Sequence, residues 1–172
     1  FYDAVQQLDL LLFVHPTEGG GPERNDSMMG FLSNVVVFPY RTTLMIERMI
    51  LRGLFEKYRN LRFCLAHGGG FLTYNIWRLD HAYTQRGNLK DRIPRKPSEY
   101  LKRIYFDSIV HSVVALQYLV QVVGADRGVI GTDYPMAMGE TAPVPRIMAL
   151  ASVSDEERAQ ILGKNAMRIL KL

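Results

Sequence analysis

Four short apolar runs in this chain each end on a residue that can take part in chemistry. "LLLFV" (10–14) leads to His15 and Pro16, "RFCLA" (62–66) to His67 and three glycines, "IYF" (104–106) to Asp107 and Ser108, and "GVIG" (128–131) to Thr132, Asp133, Tyr134 and Pro135. Imidazole and carboxylate together suit a divalent metal such as zinc or manganese, which makes His15 and Asp133 candidate ligands. His67 titrates near neutral pH and is the candidate to move protons beside them. Each residue alone has an ordinary explanation: a strand-end histidine as a hydrogen-bonded core residue, or an Asp before Tyr-Pro as a turn former. The recurrence at three ends favours chemistry. The glycines behind His67 remove side chains and permit unusual torsions, so a substrate or metal-bound water would be able to approach the ring closely. A flexible turn explains one glycine easily and three poorly.

These groups converge only if the elements beneath them form one sheet. The four runs are apolar on both faces, as buried parallel strands are. Helical stretches separate them. Ile46, Ile50, Leu54 and Tyr58 recur every four residues and align one stripe of a helix from about 42 to 58. A second helix is expected from about 112 to 123, stopped by Gly124 in a left-handed conformation. The last helices begin at "SDEE", where Ser154 and Glu157 form a capping box. Strand followed by helix, repeated, is α/β architecture. In a (β/α)8 barrel the carboxyl ends of the strands surround one pocket. An open doubly wound sheet would show a glycine fingerprint after its first strand, and this chain has none there.

Between His15 and Thr42 runs a connection far longer than the usual four to six residues. It is expected to be a lid or pocket wall, or, over its apolar part from Phe31 to Phe38, a packed short helix. Arg78 falls on the helix after the glycines and can hold a carboxylate. His81 and His111 carry no motif and read as structural. The chain has 172 residues, 48% apolar and 22% charged, enough to bury a core in one domain spanning 1–172. Its net charge of +4 owes much to "NLKDRIPRKPSEYLKR", expected to be a solvated loop running into a helix. No recognition motif or interleaved aromatics accompany that charge, so no nucleic acid partner is expected. The lone cysteine, Cys64, lies in an apolar run and reads as a buried inert thiol. No run approaches the roughly 18 to 20 residues that span a bilayer, and the start lacks signal-peptide features. The expectation is a cytoplasmic protein without a membrane partner.

The motifs "VHP", "AHGGG", "WRLDHAY", "RKPSEY", "YFDS", "VGADRGVIGTDYPMAMGE" and "GKNAMRIL" occur in the order seen in the amidohydrolase superfamily. The chain resembles in particular its decarboxylase branch, typified by aminocarboxymuconate semialdehyde decarboxylase. The resemblance implies a (β/α)8 barrel binding a divalent metal, usually zinc with manganese as the alternative, and non-oxidative decarboxylation of a small unsaturated or aromatic carboxylic acid. It places the fifth-strand metal histidine on His15 and the eighth-strand metal aspartate on Asp133. The histidine that activates the metal's water falls on His67, so His67 and Asp133 carry the catalytic roles. Arg78 would bind substrate carboxylate in a neighbouring subunit's site, which implies a homodimer. The family's first-strand His-x-His pair is absent from these residues, so the chain reads as the second half of a barrel, strands five to eight. Either the first half lies outside this sequence or two half-barrels pair to close a core; the uncapped opening "FYDAVQQLDLLLFVHP" favours the first. A hydrolase or hydratase of the same superfamily is the nearest alternative, and a catalytically silent, self-associating fragment is another.

Overall fold

The computed structural model describes residues 1–17 and 32–172. Leu11–Val14 (β1), Arg62–Leu65 (β2), Ile104–Asp107 (β3) and Gly128–Val129 (β4) form one sheet. All pairings are parallel and follow chain order, β1-β2-β3-β4. Parallel neighbours require a crossover, and helices supply it. Tyr2–Gln7 (α1) precedes β1, Phe38–Leu51 (α2) lies between β1 and β2, Leu72–Gln85 (α3) between β2 and β3, and Val113–Val123 (α4) between β3 and β4. After β4 come Pro143–Met148 (α5), Asp155–Ala159 (α6) and Asn165–Leu170 (α7), the last two joined by a wide turn at Gln160–Lys164.

One face of the sheet carries the main core. Phe63, Leu65, Ile104 and Phe106 are at most 1% exposed and belong to one apolar cluster with Ile46, Ile50, Leu72, Ile76 and Leu116. Each such burial stabilises the fold by about 1.5–3 kcal/mol. On the other face Cys64, Tyr105 and Val129 meet Ile169 of α7, while Phe13 of β1 is 58% exposed. Burial pushes the Cys64 thiol up to about 12, so it stays protonated and inert, as its apolar run predicts.

Several boundaries differ from the sequence expectations. The long helix starts at Phe38, earlier than 42, because the Ser33–Val37 turn feeds straight into it with Pro39 in its first turn. It ends at Leu51, since Gly53 adopts a left-handed conformation (φ +70°), and Leu54–Lys57 is a separate turn. β4 stops at Val129 because the amide of Ile130 turns to the carbonyl of Ile161 (2.9 Å). Gly124 does follow α4 with positive φ (+92°), but ψ of 149° makes it an extended glycine-only conformation instead of the left-handed helical one. The Ser154–Glu157 capping box forms as expected, with Glu157 N donating to Ser154 Oγ (3.2 Å) and Ser154 N to the Glu157 carboxylate (2.7 Å). In the basic stretch, Arg103 is not a solvated charge. Its guanidinium donates to the carbonyls of Phe55, Tyr58 (3.0 Å) and Arg59 (2.6 Å), closing the end of the Leu54–Lys57 turn.

The C-terminal helix is locked to β4 by one amide. Asn165, 1% exposed, donates from Nδ2 to the carbonyls of Ala125 (2.8 Å) and Gly128 (2.7 Å). Asn165→Ala would strand both carbonyls in the core, and we expect it to lower unfolding free energy by about 2–4 kcal/mol in urea denaturation; a loss under about 0.5 kcal/mol would show that α7 docks by apolar contact alone.

Candidate active site

Strand register sets the site. Val14 lies opposite Leu65, and the ladder continues one step further through Ala66 N to Val14 O (2.9 Å). His15 and His67 therefore leave neighbouring strand ends together, their ring centroids 4.9 Å apart. Asp133 arrives from the end of β4. His15 Nε2 stands 3.2 Å from Asp133 Oδ1, and His67 Nε2 stands 3.4 Å from Asp133 Oδ2. One donor atom from each of the three lies within 4.8 Å of the others.

Left-handed backbone turns these side chains inward. His67 (φ +56°) and Asp133 (φ +57°) both adopt it, although neither is glycine. Gly68, Gly69 and Gly70 continue at positive φ. A Cβ on Gly68 would lie 2.4 Å from Val110 Cγ1, on Gly69 2.8 Å from the Phe106 ring, and on Gly70 2.2 Å from the Pro39 carbonyl oxygen. The close approach the three glycines permit is thus chiefly that of the protein's own atoms, although Gly68 and Gly70 also line the cavity described below. Two anchors hold the run: Asp107 Oδ1 accepts from Gly68 N (2.8 Å), and Thr43 Oγ1 accepts from Phe71 N (2.8 Å).

The loop bearing Asp133 is closed at its base. Glu140 N donates to Thr132 O (2.7 Å), and Met136 N to Asp133 O (2.8 Å). The Glu140 carboxylate, itself buried, accepts from Arg146 Nε and from Ala142 N (2.9 Å), which hold its pKa below the ordinary glutamate value.

Electrostatics prepare His67 to be neutral. Burial lowers its pKa most, opposed by the Asp133 carboxylate and assisted by His15. Its unprotonated nitrogen is then free to bind a metal or accept a proton. Asp107 is the most enclosed acid near the site, 2% exposed, with Oδ1 bonded to the amides of Gly68 and Ile109 and Oδ2 without a partner among the described residues. Burial pushes its carboxyl up to about 6, against the pull of those amides.

The donor set fits a divalent metal. Ligands at about 2.0–2.1 Å around a tetrahedral ion lie about 3.3 Å apart, close to the 3.2 and 3.4 Å separations observed. His67 thus joins His15 and Asp133 in position to ligate, a role the sequence offered only to the other two.

A cavity of about 860 Å³ opens beside the cluster. Its walls are largely apolar: Val35 and Phe38 from the segment before β2, Val110 and Leu119 from around α4, and Met136 from the Asp133 loop. Over its described part the apolar stretch is helical but serves as a wall: Val35 and Phe38 line the cavity, and only Val37 of Ser33–Val37 is buried; residues 18–31 of that connection lie outside the described residues. Arg78 is not brought to this cavity. It sits exposed on α3. His111, read from sequence as structural, does line the cavity, at φ +55°. The missed signal was positional: like His67 and Asp133, it stands just beyond a strand end.

Acid titration offers a check on this electrostatic arrangement. Because Asp107 holds its proton more tightly in the folded protein (about 6) than at the ordinary value of 3.8, its favourable contribution is complete below about pH 4 and lost as pH rises through 6. In metal-free protein, the stability of wild type relative to Asp107→Asn should fall by on the order of 2–3 kcal/mol between pH 4 and pH 7. A pH-independent difference would show that Asp107 ionises normally.

Comparison with known proteins agrees with this geometry. The amidohydrolase family model matches residues 1–172. The chain is 34% identical over 172 residues to 2-amino-3-carboxymuconate-6-semialdehyde decarboxylase of Dictyostelium discoideum, covering 99% of this chain and 47% of the relative. Its fold matches the crystal structure of 5-carboxyvanillate decarboxylase from Sphingomonas paucimobilis (TM-score 0.85, 29% identity, 99% of this chain, 52% of that one). It also matches a dihydroxybenzoic acid decarboxylase from Polaromonas sp. solved with manganese and the inhibitor 2-nitroresorcinol (TM-score 0.82, 26% identity, 99% and 52%). The chain spans about half the length of the relatives it matches. Four parallel strands with crossover helices, a strand-end His-His-Asp cluster and a family match over every residue together show that the chain belongs to the amidohydrolase family and forms half of a (β/α)8 barrel.

Proposed function

We propose that the protein containing this chain is a divalent-metal-dependent, non-oxidative decarboxylase of a small unsaturated or aromatic carboxylic acid. The observation that carries this reading is the convergence of His15, His67 and Asp133 to within 4.8 Å beside a largely apolar cavity of about 860 Å³. The likeness to decarboxylases among relatives and solved structures supports it. The chain acts as one domain, the C-terminal half of the barrel, in a cytoplasmic enzyme. Among its described residues no helix is long and apolar enough to cross a membrane.

A metal, zinc or manganese, held by His15 and Asp133 with His67 adjacent, would supply charge stabilisation for the substrate anion. The chain's own groups do the rest. Phe38, Val110, Leu119 and Met136 exclude water and accept a flat, apolar substrate body. In that low-dielectric setting a carboxylate is poorly solvated, whereas the charge of the departing state is dispersed over the conjugated system, so the environment favours loss of carbon dioxide. The carbon–carbon bond breaks, its electron pair stays on the substrate, and a proton carried at His67 Nε2 replaces the lost group. A neutral resting His67 can take up that proton beforehand.

Arg78 lies outside its own chain's cavity, on an exposed helix face. That position suits the trans role: we place Arg78 in a homodimer, reaching the partner's site to bind substrate carboxylate.

The test uses the intact, metal-loaded protein and 2,6-dihydroxybenzoate. We expect carbon dioxide in step with substrate loss, abolition by chelator and restoration by zinc or manganese. His67→Asn should lower kcat by about 100-fold or more with metal content per chain unchanged; loss of metal in this variant would make His67 a ligand instead of a proton carrier. Water added to substrate without carbon dioxide release would establish a hydratase. For the dimer, Arg78→Ala and His67→Asn proteins, each inactive alone, should regain activity when subunits are exchanged, because a mixed dimer contains one complete site. No recovery on mixing would place Arg78 outside the neighbouring site.

A further inference from the structure

Beyond the metal and the trans Arg78 proposed above, a second substrate carboxylate needs a donor from this chain's own cavity lining, which offers few. Among the described residues that line it there is no lysine or arginine; the imidazoles of His15, His67 and His111 are the only groups able to carry positive charge. The first two are committed to the cluster with Asp133. His111 is not. Neither of its ring nitrogens has a hydrogen-bond partner among the described residues, and it is exposed to the cavity it lines. It is near enough to the cluster for its charge to lower the pKa of His67.

The backbone around His111 is braced on both sides. Before it, Asp107 Oδ1 accepts from Ile109 N (3.1 Å), and Ser108 Oγ accepts from Gly131 N (3.2 Å). After it, Ser112 caps α4 by accepting from Ala115 N (3.4 Å). Between these anchors His111 is held at φ +55°, an uncommon conformation for a residue other than glycine. A surface turn with no task would more cheaply use glycine or asparagine here. The strain turns an unpaired imidazole toward the cavity and keeps it there, which is the arrangement a preorganised ligand contact requires.

We propose that His111 is a second anion position in this cavity, binding a carboxylate of the substrate other than the one at the His15–His67–Asp133 cluster, and so selecting dicarboxylic acids. The chemistry is a charge-assisted hydrogen bond from the imidazole to a carboxylate oxygen across an apolar slot. The inference rests on the decarboxylase reading for which carboxylate is lost, and on the cavity alone for where the second one binds.

The experiment compares benzene-1,3-dicarboxylate with benzoate by calorimetric titration of the intact, metal-loaded protein. Wild type should bind the dicarboxylate about tenfold or more tightly than benzoate. His111→Gly, whose backbone adopts the same φ without strain, and His111→Asn, which tolerates it, should both bring the two ligands to near parity while benzoate affinity stays as in wild type. The proposal is overturned by a preference that persists in either variant, by an equal weakening of both ligands, or by the lack of any preference in wild type. Wild-type protein that shows the preference yet releases no carbon dioxide defeats the decarboxylase reading and leaves the subsite standing. An active decarboxylase whose variants keep the preference defeats the subsite and leaves the reaction standing.

Discussion

Four consecutive residues in left-handed or otherwise positive-φ backbone, His67 to Gly70, are the constraint on which the rest of the site depends. Such a run is costly for any chain with side chains, and here it is compensated by fixed partners. A buried Asp107 oxygen receives the Gly68 amide and the Thr43 hydroxyl receives that of Phe71. With no Cβ at three of the positions, the Pro39 backbone at the start of α2, the Phe106 ring of β3 and the Val110 side chain all close in on the same few atoms. One segment thus joins two crossovers and a strand, and the imidazole at its head is aimed by packing from three sides.

The same device recurs at neighbouring strand ends. His67, His111 and Asp133 each follow or nearly follow a strand, and each turns through positive φ. Strand ends are rigid because the ladder beneath them is, so a single residue with reversed backbone can direct its side chain over the sheet with little freedom to wander. That geometry gathers donors 3.2 to 3.4 Å apart without any of them being close in sequence. The apolar wall alongside lowers the local dielectric, which strengthens each electrostatic interaction within the cavity and raises the penalty for leaving a charge unpaired.

Asp107 illustrates how support and chemistry are coupled here. Its carboxylate fixes the amides on both sides of the site, Gly68 and Ile109. Its burial raises its pKa, and the unpartnered Oδ2 marks it as an acid retained at an energetic cost. Holding the His67 turn and the His111 loop to one anchor ensures that both imidazoles keep their positions relative to each other.

Much of this was legible without coordinates. Apolar runs leading to His15, His67 and Asp133 marked the strands and the residues at their ends, because a parallel strand covered on both faces is apolar throughout and its polar residues fall at its edges; β1 departs from that expectation, with Phe13 58% exposed and none of its residues buried. The Ser154 capping box and the inert Cys64 followed from local chemistry in the same way. What the sequence left open were the features set by long-range contact. The glycines after His67 looked like room for a ligand, whereas their reason lies mainly in Pro39, Phe106 and Val110, residues 31 to 42 positions from the glycines they meet and linked to them by no local pattern. Arg103 looked solvated until the carbonyls of Phe55, Tyr58 and Arg59 were brought against it. His111 looked structural because it belongs to no motif, and only the register of β3 against β2 and β4 carries its loop to the cavity rim. The sequence by itself determined the α/β periodicity and put His15 and Asp133 forward as ligands with His67 beside them, since strand ends are marked by neighbours along the chain. Tertiary structure alone decided that His67 joins the donors, which imidazole faces the cavity without a partner among the described residues, and what the glycines pack against, since these depend on atoms that only folding brings within contact distance.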